Sequence, residues 1–454
     1  MAGFLGRIRA DLRLQKVILI VMGILAAVSL VQGCKNAVLV SQDFQWDAAK
    51  ALTLHINPYD ESLSPSGILD SYDFEKYYLQ MEANQFPSLL WLLFPYTLLP
   101  PLAARYAWLI SNLLFTAGIV YLLRKTFLRG PVRAFPVSSG GMAGSSAKII
   151  SGPDSFTFAF FMLLMIAGTP YRNQLGVGQH TLFAFFFFLL AVYLTRRQEE
   201  AEMSGVSQLA RDGADGFGAG DSSEDAGSGP FSLGAALALS VCYFKYTLTV
   251  PLAIYFIYKR RFKEIFVSVI PHIVLTAFSA WWLDDSFLNM IIKPLKVSAR
   301  LLGEGGLDFH SLFPMSGHGL DGMFVVICLY LADFARRLGK RSQGDRKSDT
   351  PSITKQGFAS ALLISELTLW SLIITYHRTY DFFVIVVVLA FMCRPECPDY
   401  LKYLYAAVLI GVFFVLRIFS ENLPSKLVVG AVYYIFTFLL TSQGLLTLLR
   451  QEES

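Results

Sequence analysis

Apolar residues in this chain gather in long uninterrupted runs. They do not follow the two-residue alternation of half-buried strands or the three-to-four-residue stripe of soluble helices. Val17–Gly33, Phe156–Gly168, Leu182–Leu194 and Leu427–Leu449 are bilayer-length or nearly so. In hydrocarbon only helices and closed barrels satisfy every backbone amide, and runs this long and uniform suit helices. The pattern predicts an all-α polytopic membrane protein. The run from Val17 follows Arg7, Arg9, Arg13 and Lys16 without a clear small-residue cleavage site, so it reads as a retained first helix.

The basic clusters orient the spans. Arg7–Lys16, Arg124–Arg133, Arg196–Arg197, Lys259–Lys263 and Arg336–Lys347 go to the cytoplasm. The intervening segments then sum to about 12 spans in one transmembrane domain covering 1–454. Residues 41–86 form a first external loop with eight acidic residues against Lys50 and Lys76. Phe86–Leu99 is short and ends at Pro100-Pro101, which fits an interfacial or half-inserted helix. Phe156–Gly168 and Thr181–Leu194 run out and back. So do Phe231–Phe244 and Thr247–Tyr258, which turn at Lys245. Residues 203–229, rich in Gly, Ser, Asp and Ala, read as a flexible cytoplasmic linker. Residues 284–322 form a second large external loop. Within it Phe287–Leu302 mixes apolar residues with Lys293, Lys296 and Arg300, as a helix on the membrane surface does.

Composition agrees. Hydrophobic residues make up 54% and charged residues 16%, against about 25% charged in soluble domains. A net charge of +4 follows from basic cytoplasmic loops and gives no case for a nucleic-acid partner. The five cysteines suggest neither a disulfide framework nor a metal site. No phosphate-binding P-loop, dinucleotide fingerprint, HExxH or GxSxG occurs.

Ionisable groups in or beside membrane segments are costly and mark candidate sites. Under this topology Asp43, Asp47, Arg172, Gln179, His180, Lys245, His310, His377, Arg378 and Asp381 converge on the external face. Acids, bases and cations together suit an anionic ligand. Asp43, just after the first helix, can accept a proton from an acceptor hydroxyl; the plainer reading is a solvated loop acid. Arg172 lies in the Gly-rich connection Thr169–His180 and suits phosphate, or else an interface anchor. Lys245 interrupts an apolar stretch, by phosphate binding or by snorkelling. Tyr376–Asp381 is the densest polar cluster between two helices, with an Arg378–Asp381 ion pair as the structural alternative.

Five segments in order resemble glycosyltransferase family 87 of the GT-C superfamily. They are Asp43-Phe44 with Ala48–Leu52 and Asn57-Pro58-Tyr59; Phe86-Pro87-Ser88 leading to Ala104-Arg105; Asn173 with Gly178-Gln179; Phe244-Lys245-Tyr246 before Lys259-Arg260-Arg261; and Tyr376–Asp381. Ser88 and Tyr246 stand where the family usually has proline. The resemblance implies a GT-C-like bundle with an acidic first external loop, and Asp43 as catalytic base. It also implies a polyprenyl-phosphate-sugar donor, mannose favoured, that enters from the membrane lipid. The expected reaction is inverting transfer to a glycolipid or glycan acceptor at the outer face of the plasma membrane. Asp47, Arg172, Gln179, Lys245, His377, Arg378 and Asp381 are the expected substrate-binding residues, with no cofactor and no metal ligand assigned. The competing readings are a lipid-linked glycan flippase, which needs midplane charges and often internal repeats, and a polysaccharide polymerase or ligase.

Overall fold

The structure, a computed structural model, describes residues 11–41, 44–72, 82–128, 155–212, 231–301, 353–375 and 377–394, and isolated positions between 327 and 335 and between 397 and 410. Asp43, His310 and the expected span Leu427–Leu449 lie outside the described residues.

The bundle is built from α1 (Leu12–Leu39), α6 (Pro101–Phe127), α7 (Ser155–Ala167), α9 (Thr181–Asp212), α10 (Leu233–Cys242), α11 (Tyr246–Tyr258), α12 (Phe262–Trp282), α14 (Ile353–Ile374) and α15 (Val386–Met392). Short helices complete it: α2 (Trp46–Thr53), α3 (Pro58–Leu63), α4 (Pro87–Leu92), α5 (Phe94–Thr97), α8 (Thr169–Val177) and α13 (Phe287–Leu301). Among the described residues, six helical stretches are long and apolar enough to cross a membrane.

The long helices show lipid on one side and protein on the other. On α1, Val17, Ile20, Ile24, Val28 and Val31 are exposed, whereas Ala26, Ser29, Gly33 and Ala37 are buried. That stripe of small residues lets α7 and α8 approach its backbone closely. On α12, Phe266, Ile273, Val274 and Trp281 face outward.

Length and hydropathy alone count Leu233–Tyr258 as one 26-residue span. The contacts at its two ends show that the chain reverses. Ser232 N–H donates to Glu264 at 3.1 Å, Arg261 pairs with both Glu264 and Glu199 at 3.6 Å, and Lys259 pairs with Glu199 at 3.2 Å. Ser232 and Lys259 therefore lie at the same end of the bundle, where a straight helix of that length would separate them by about 39 Å. The break is a 3₁₀ turn at Tyr243–Lys245, with Lys245 at φ −111°, ψ 69°. Thr249 Oγ1 donates to the Cys242 and Lys245 carbonyls at 2.7 and 3.0 Å, close enough to satisfy acceptors left free where the helix stops. The out-and-back reading of the sequence holds here.

The same end collects the other basic residues. Arg196 donates to the Thr126 carbonyl, and Arg394 to the Phe127 carbonyl at 3.0 Å. Phe358 of α14 meets Phe391 of α15 at 5.3 Å. The opposite end is capped by α2–α5 and α13. In that cap Trp46 donates to the Tyr96 carbonyl at 3.0 Å, Lys50 to the Thr97 carbonyl at 3.2 Å, and Trp282 to the Leu52 carbonyl at 2.8 Å.

Two sequence expectations change in detail. The segment Phe86–Leu99 is two short helices, α4 and α5, each started by a proline in its first turn. Helix α9 continues to Asp212, so the first ten residues of the expected 203–229 linker are helical and its remainder lies outside the described residues. Helix α13 forms where the sequence places it and docks on the cap. Lys293 pairs with Asp60 at 2.8 Å and with Asp285 at 2.5 Å, while Arg300 donates to the Ser62 and Leu63 carbonyls.

Candidate active site beneath the cap

Three helix ends meet at the cap side of the bundle: the α8–α9 connection, the break at Lys245 and the turn that opens at Thr379. Lys245 Nζ lies 2.7 Å from Asp381 Oδ1 and donates to Gln179 Oε1 at 2.9 Å. Gln179 Nε2 donates to the Tyr380 hydroxyl at 2.9 Å, and Lys245 sits 5.4 Å from the Tyr380 ring centroid. His377 Nδ1 is 2.9 Å from Asp381 Oδ2, and Thr181 donates to Oδ1 of the same carboxylate. Lys245, His377 and Asp381 are all buried. A lysine and a carboxylate survive burial only when paired and hydrogen-bonded, and here both are.

His377 Nε2 lies 2.9 Å from Thr375 Oγ1, which is itself within 2.7 Å of the Thr247 carbonyl and 2.6 Å of the Ser371 carbonyl. The imidazole thus bridges the Asp381 carboxylate and the Thr375 hydroxyl. The cluster joins the Lys245 ammonium, the His377 imidazole and the Thr181 hydroxyl around one shared carboxylate.

The cap side of this network is aromatic. Gly178 ends α8 in the left-handed region at φ +75°, which glycine adopts without strain. A Cβ there would come within 2.7 Å of Ser41 Oγ. Trp108 of α6 donates to the Gly178 carbonyl at 2.7 Å and stacks on Phe44 at 5.1 Å. Ser41 and Phe44, on either side of the acidic position 43, thus both abut Gly178, next to Gln179. The connection from α1 to α2 carries two residues at positive φ, Ser41 at 21° and Gln45 at 59°. Such strain clusters at functional sites.

Asp47, in the first turn of α2, is 2% exposed. Burial pushes its carboxyl well above the usual range, partly offset by the nearby Arg105 guanidinium. Its Oδ1 has no hydrogen-bond partner among the described residues. Arg105 also donates to the Val38 carbonyl at 2.9 Å, so one guanidinium serves both α1 and α2.

The structure therefore gathers Gln179, Lys245, His377 and Asp381 into one network. Asp47 lies apart from it, beside Arg105. Arg172 reaches α1, where it donates to Gln32 at 3.2 Å. Arg378 enters through its backbone, its carbonyl accepting the Asp381 N–H at 3.0 Å. Asp381 pairs with Lys245 and His377, not with Arg378 as the ion-pair alternative had it. Thr181 and Thr375 were missed by sequence reasoning, because a threonine at a helix end carries no signal of its partner. His272 was missed too. It binds Ser88 Oγ at 2.8 Å and the Ser240 carbonyl at 2.9 Å, which gives the serine found in place of the family's proline a structural role.

A helical bundle with six candidate membrane spans and a buried polar network beneath a cap of short helices defines a multi-pass membrane protein. The sequence profile of glycosyltransferase family 87 matches residues 87–300. Residues 87–300 thus form a glycosyltransferase family 87 domain, and that family comprises membrane glycosyltransferases of the GT-C type that use polyprenyl-phosphate sugar donors. The matched stretch contains Arg172, Gln179, His180 and Lys245. No curated protein and no solved structure matches the chain.

Proposed function

We propose that this protein transfers a hexose, mannose favoured, from a polyprenyl-phosphate donor to a glycolipid or glycan acceptor on the extracytoplasmic face, with inversion. The observation that carries this reading is the buried Gln179–Lys245–His377–Asp381 network, assembled from separate helix ends inside and beyond a family 87 domain. Lys245 holds the donor phosphate, and His377 and Asp381 orient it. Asp43 removes the proton from the acceptor hydroxyl as its oxygen attacks the anomeric carbon from the face opposite the phosphate. The carbon–oxygen bond to phosphate breaks, and its electron pair leaves on the phosphate oxygen, where the Lys245 ammonium neutralises it. No cofactor is invoked. Asp47 and Arg172 serve the acceptor side and the donor entry, and Arg378 flanks the phosphate site.

The extracytoplasmic assignment rests on charge asymmetry. Arg124, Arg196, Lys259 and Arg261 gather at the end of the bundle opposite the network, and basic residues stay on the cytoplasmic side. The test uses protein in lipid with a panel of polyprenyl-phosphate hexoses and a membrane-extract acceptor. Wild type is expected to release polyprenyl phosphate from one donor, and Asp43→Asn to release none while folding normally. Full activity in Asp43→Asn moves the base to Asp47. Movement of intact donor across the bilayer without bond cleavage replaces the enzyme with a flippase.

A further inference from the structure

His180 is the first residue beyond the network that the mechanism above does not use. It is 1% exposed, and no side chain among the described residues hydrogen-bonds either ring nitrogen. Gln179 and Trp108 fix its surroundings. Its backbone N–H donates to Gln179 Oε1 at 3.3 Å, the same oxygen that accepts from Lys245. Its ring centroid lies 5.2 Å from that of Trp108, which is itself stacked on Phe44. The Trp108 indole N–H is committed to the Gly178 carbonyl, so that ring frames the site without offering a donor.

Burial of a polar ring without side-chain partners is costly, and each such case in a folded protein needs a reason. Burial, with the Lys245 charge adding to it, outweighs a hydrogen bond to the Phe44 backbone and lowers the His180 pKa to about 3, so the ring is neutral. A neutral imidazole presents one donor and one acceptor, the complement of two neighbouring hydroxyl groups. Its position is equally specific. It stands between Lys245, on the phosphate side, and Phe44, on the side of the acidic connection. In an inverting displacement the base and the leaving phosphate lie on opposite faces of the anomeric carbon, so the sugar ring occupies the space between them.

We propose that His180 binds the hexose of the donor, its two ring nitrogens hydrogen-bonding sugar hydroxyls between the Lys245 phosphate site and Phe44. This rests on the donor reading above and adds a sugar-recognition residue to it. Because His180 is enclosed, donor binding parts the Phe44–Trp108 contact.

The experiment compares equilibrium binding of a polyprenyl-phosphate hexose and of sugar-free polyprenyl phosphate to full-length protein in nanodiscs. The proteins are wild type, His180→Phe and His180→Asn, with melting temperatures measured alongside. His180→Phe is expected to weaken the sugar-loaded donor by about tenfold or more, since a site built around hydroxyl hydrogen bonds loses them. It should leave the sugar-free lipid within about twofold and melt no lower than wild type, because a buried polar ring without a side-chain partner gives way to an apolar one. His180→Asn keeps one donor and one acceptor and should lose less. It also supplies the comparison if the Phe variant does not fold. Equal weakening of both ligands, or unchanged affinity for the sugar-loaded donor, overturns the proposal. Failure of wild type to bind either lipid overturns the donor reading itself, and the assignment of His180 with it.

Discussion

At the scale of the residue, Lys245 and Asp381 depend on each other. Removing one partner of a buried pair leaves an uncompensated charge and costs about 3–5 kcal/mol. Lys245→Met should therefore destabilise strongly and reduce transfer by roughly a hundredfold through lost phosphate stabilisation. The double variant Lys245→Met with Asp381→Asn should be less destabilised than the sum of the singles. A double-mutant cycle on thermal unfolding in detergent reads this directly, and strict additivity would show that the two do not interact. Gly178→Ala combines a strained left-handed φ with a contact 2.7 Å from Ser41. It should cost about 2 kcal/mol or more, seen as a lower melting temperature. A neutral outcome would mean that the α1–α2 connection does not rest on Gly178.

Two buried residues give opposite dependences on pH. The lowered pKa of His180 keeps it neutral in the folded protein while the unfolded chain takes up a proton below about 6.5. Stability is thus lost as pH falls from 6.5 towards 3, by roughly 2 kcal/mol at pH 5. Asp47, raised by burial, holds its proton to higher pH in the folded protein than in the unfolded chain. That loss grows as pH rises. Melting curves from pH 4.5 to 8 should steepen on the acid side in wild type and flatten there in His180→Phe. Asp47→Asn should flatten the alkaline side instead. Identical profiles in all three proteins would rule out both residues as the cause.

At the scale of the element, α13 is held by side chains, not by its apolar face alone. Burial works against the Asp285 charge, but hydrogen bonds from Lys293, Asn289 and the Ser286 N–H outweigh it and hold its carboxyl below the usual range. Lys293 also reaches Asp60 on α3, and Asn57 donates to Asp285 at 3.2 Å. These groups are partly exposed, so Lys293→Met should change global stability by less than about 1 kcal/mol. It should release α3 locally, read as faster amide exchange across 58–63. Unchanged exchange there would show that Met290 and Val297, both buried, hold α13 without the ion pairs.

At the scale of the whole molecule, the reversal at Lys245 decides which way the remaining spans run. A cysteine replacing Ser232 and one replacing Lys259 should both react with an impermeant reagent from the same, cytoplasmic, side of sealed vesicles. Labelling from opposite sides would make Leu233–Tyr258 one crossing and overturn the bundle order described above.

The sequence by itself determined the class of this protein, because the requirement to satisfy backbone amides in lipid leaves its mark in uninterrupted apolar runs. It also pointed to Gln179, Lys245, His377 and Asp381, since a polar group beside a membrane helix is conspicuous against its neighbours. It did not indicate which of those groups touch. Arg172 looked as good a phosphate ligand as Lys245, yet one reaches Gln32 on α1 and the other meets Asp381. Partner choice depends on how far each helix runs before it breaks and on which faces pack together. Those are properties of contacts between residues far apart in the chain, 201 positions for Gln179 and Tyr380. Only the tertiary structure brought Thr181 and Thr375 into the site and left His180 buried without a side-chain partner. Hydrogen bonding across helix ends is decided by packing, which no local pattern in the chain encodes.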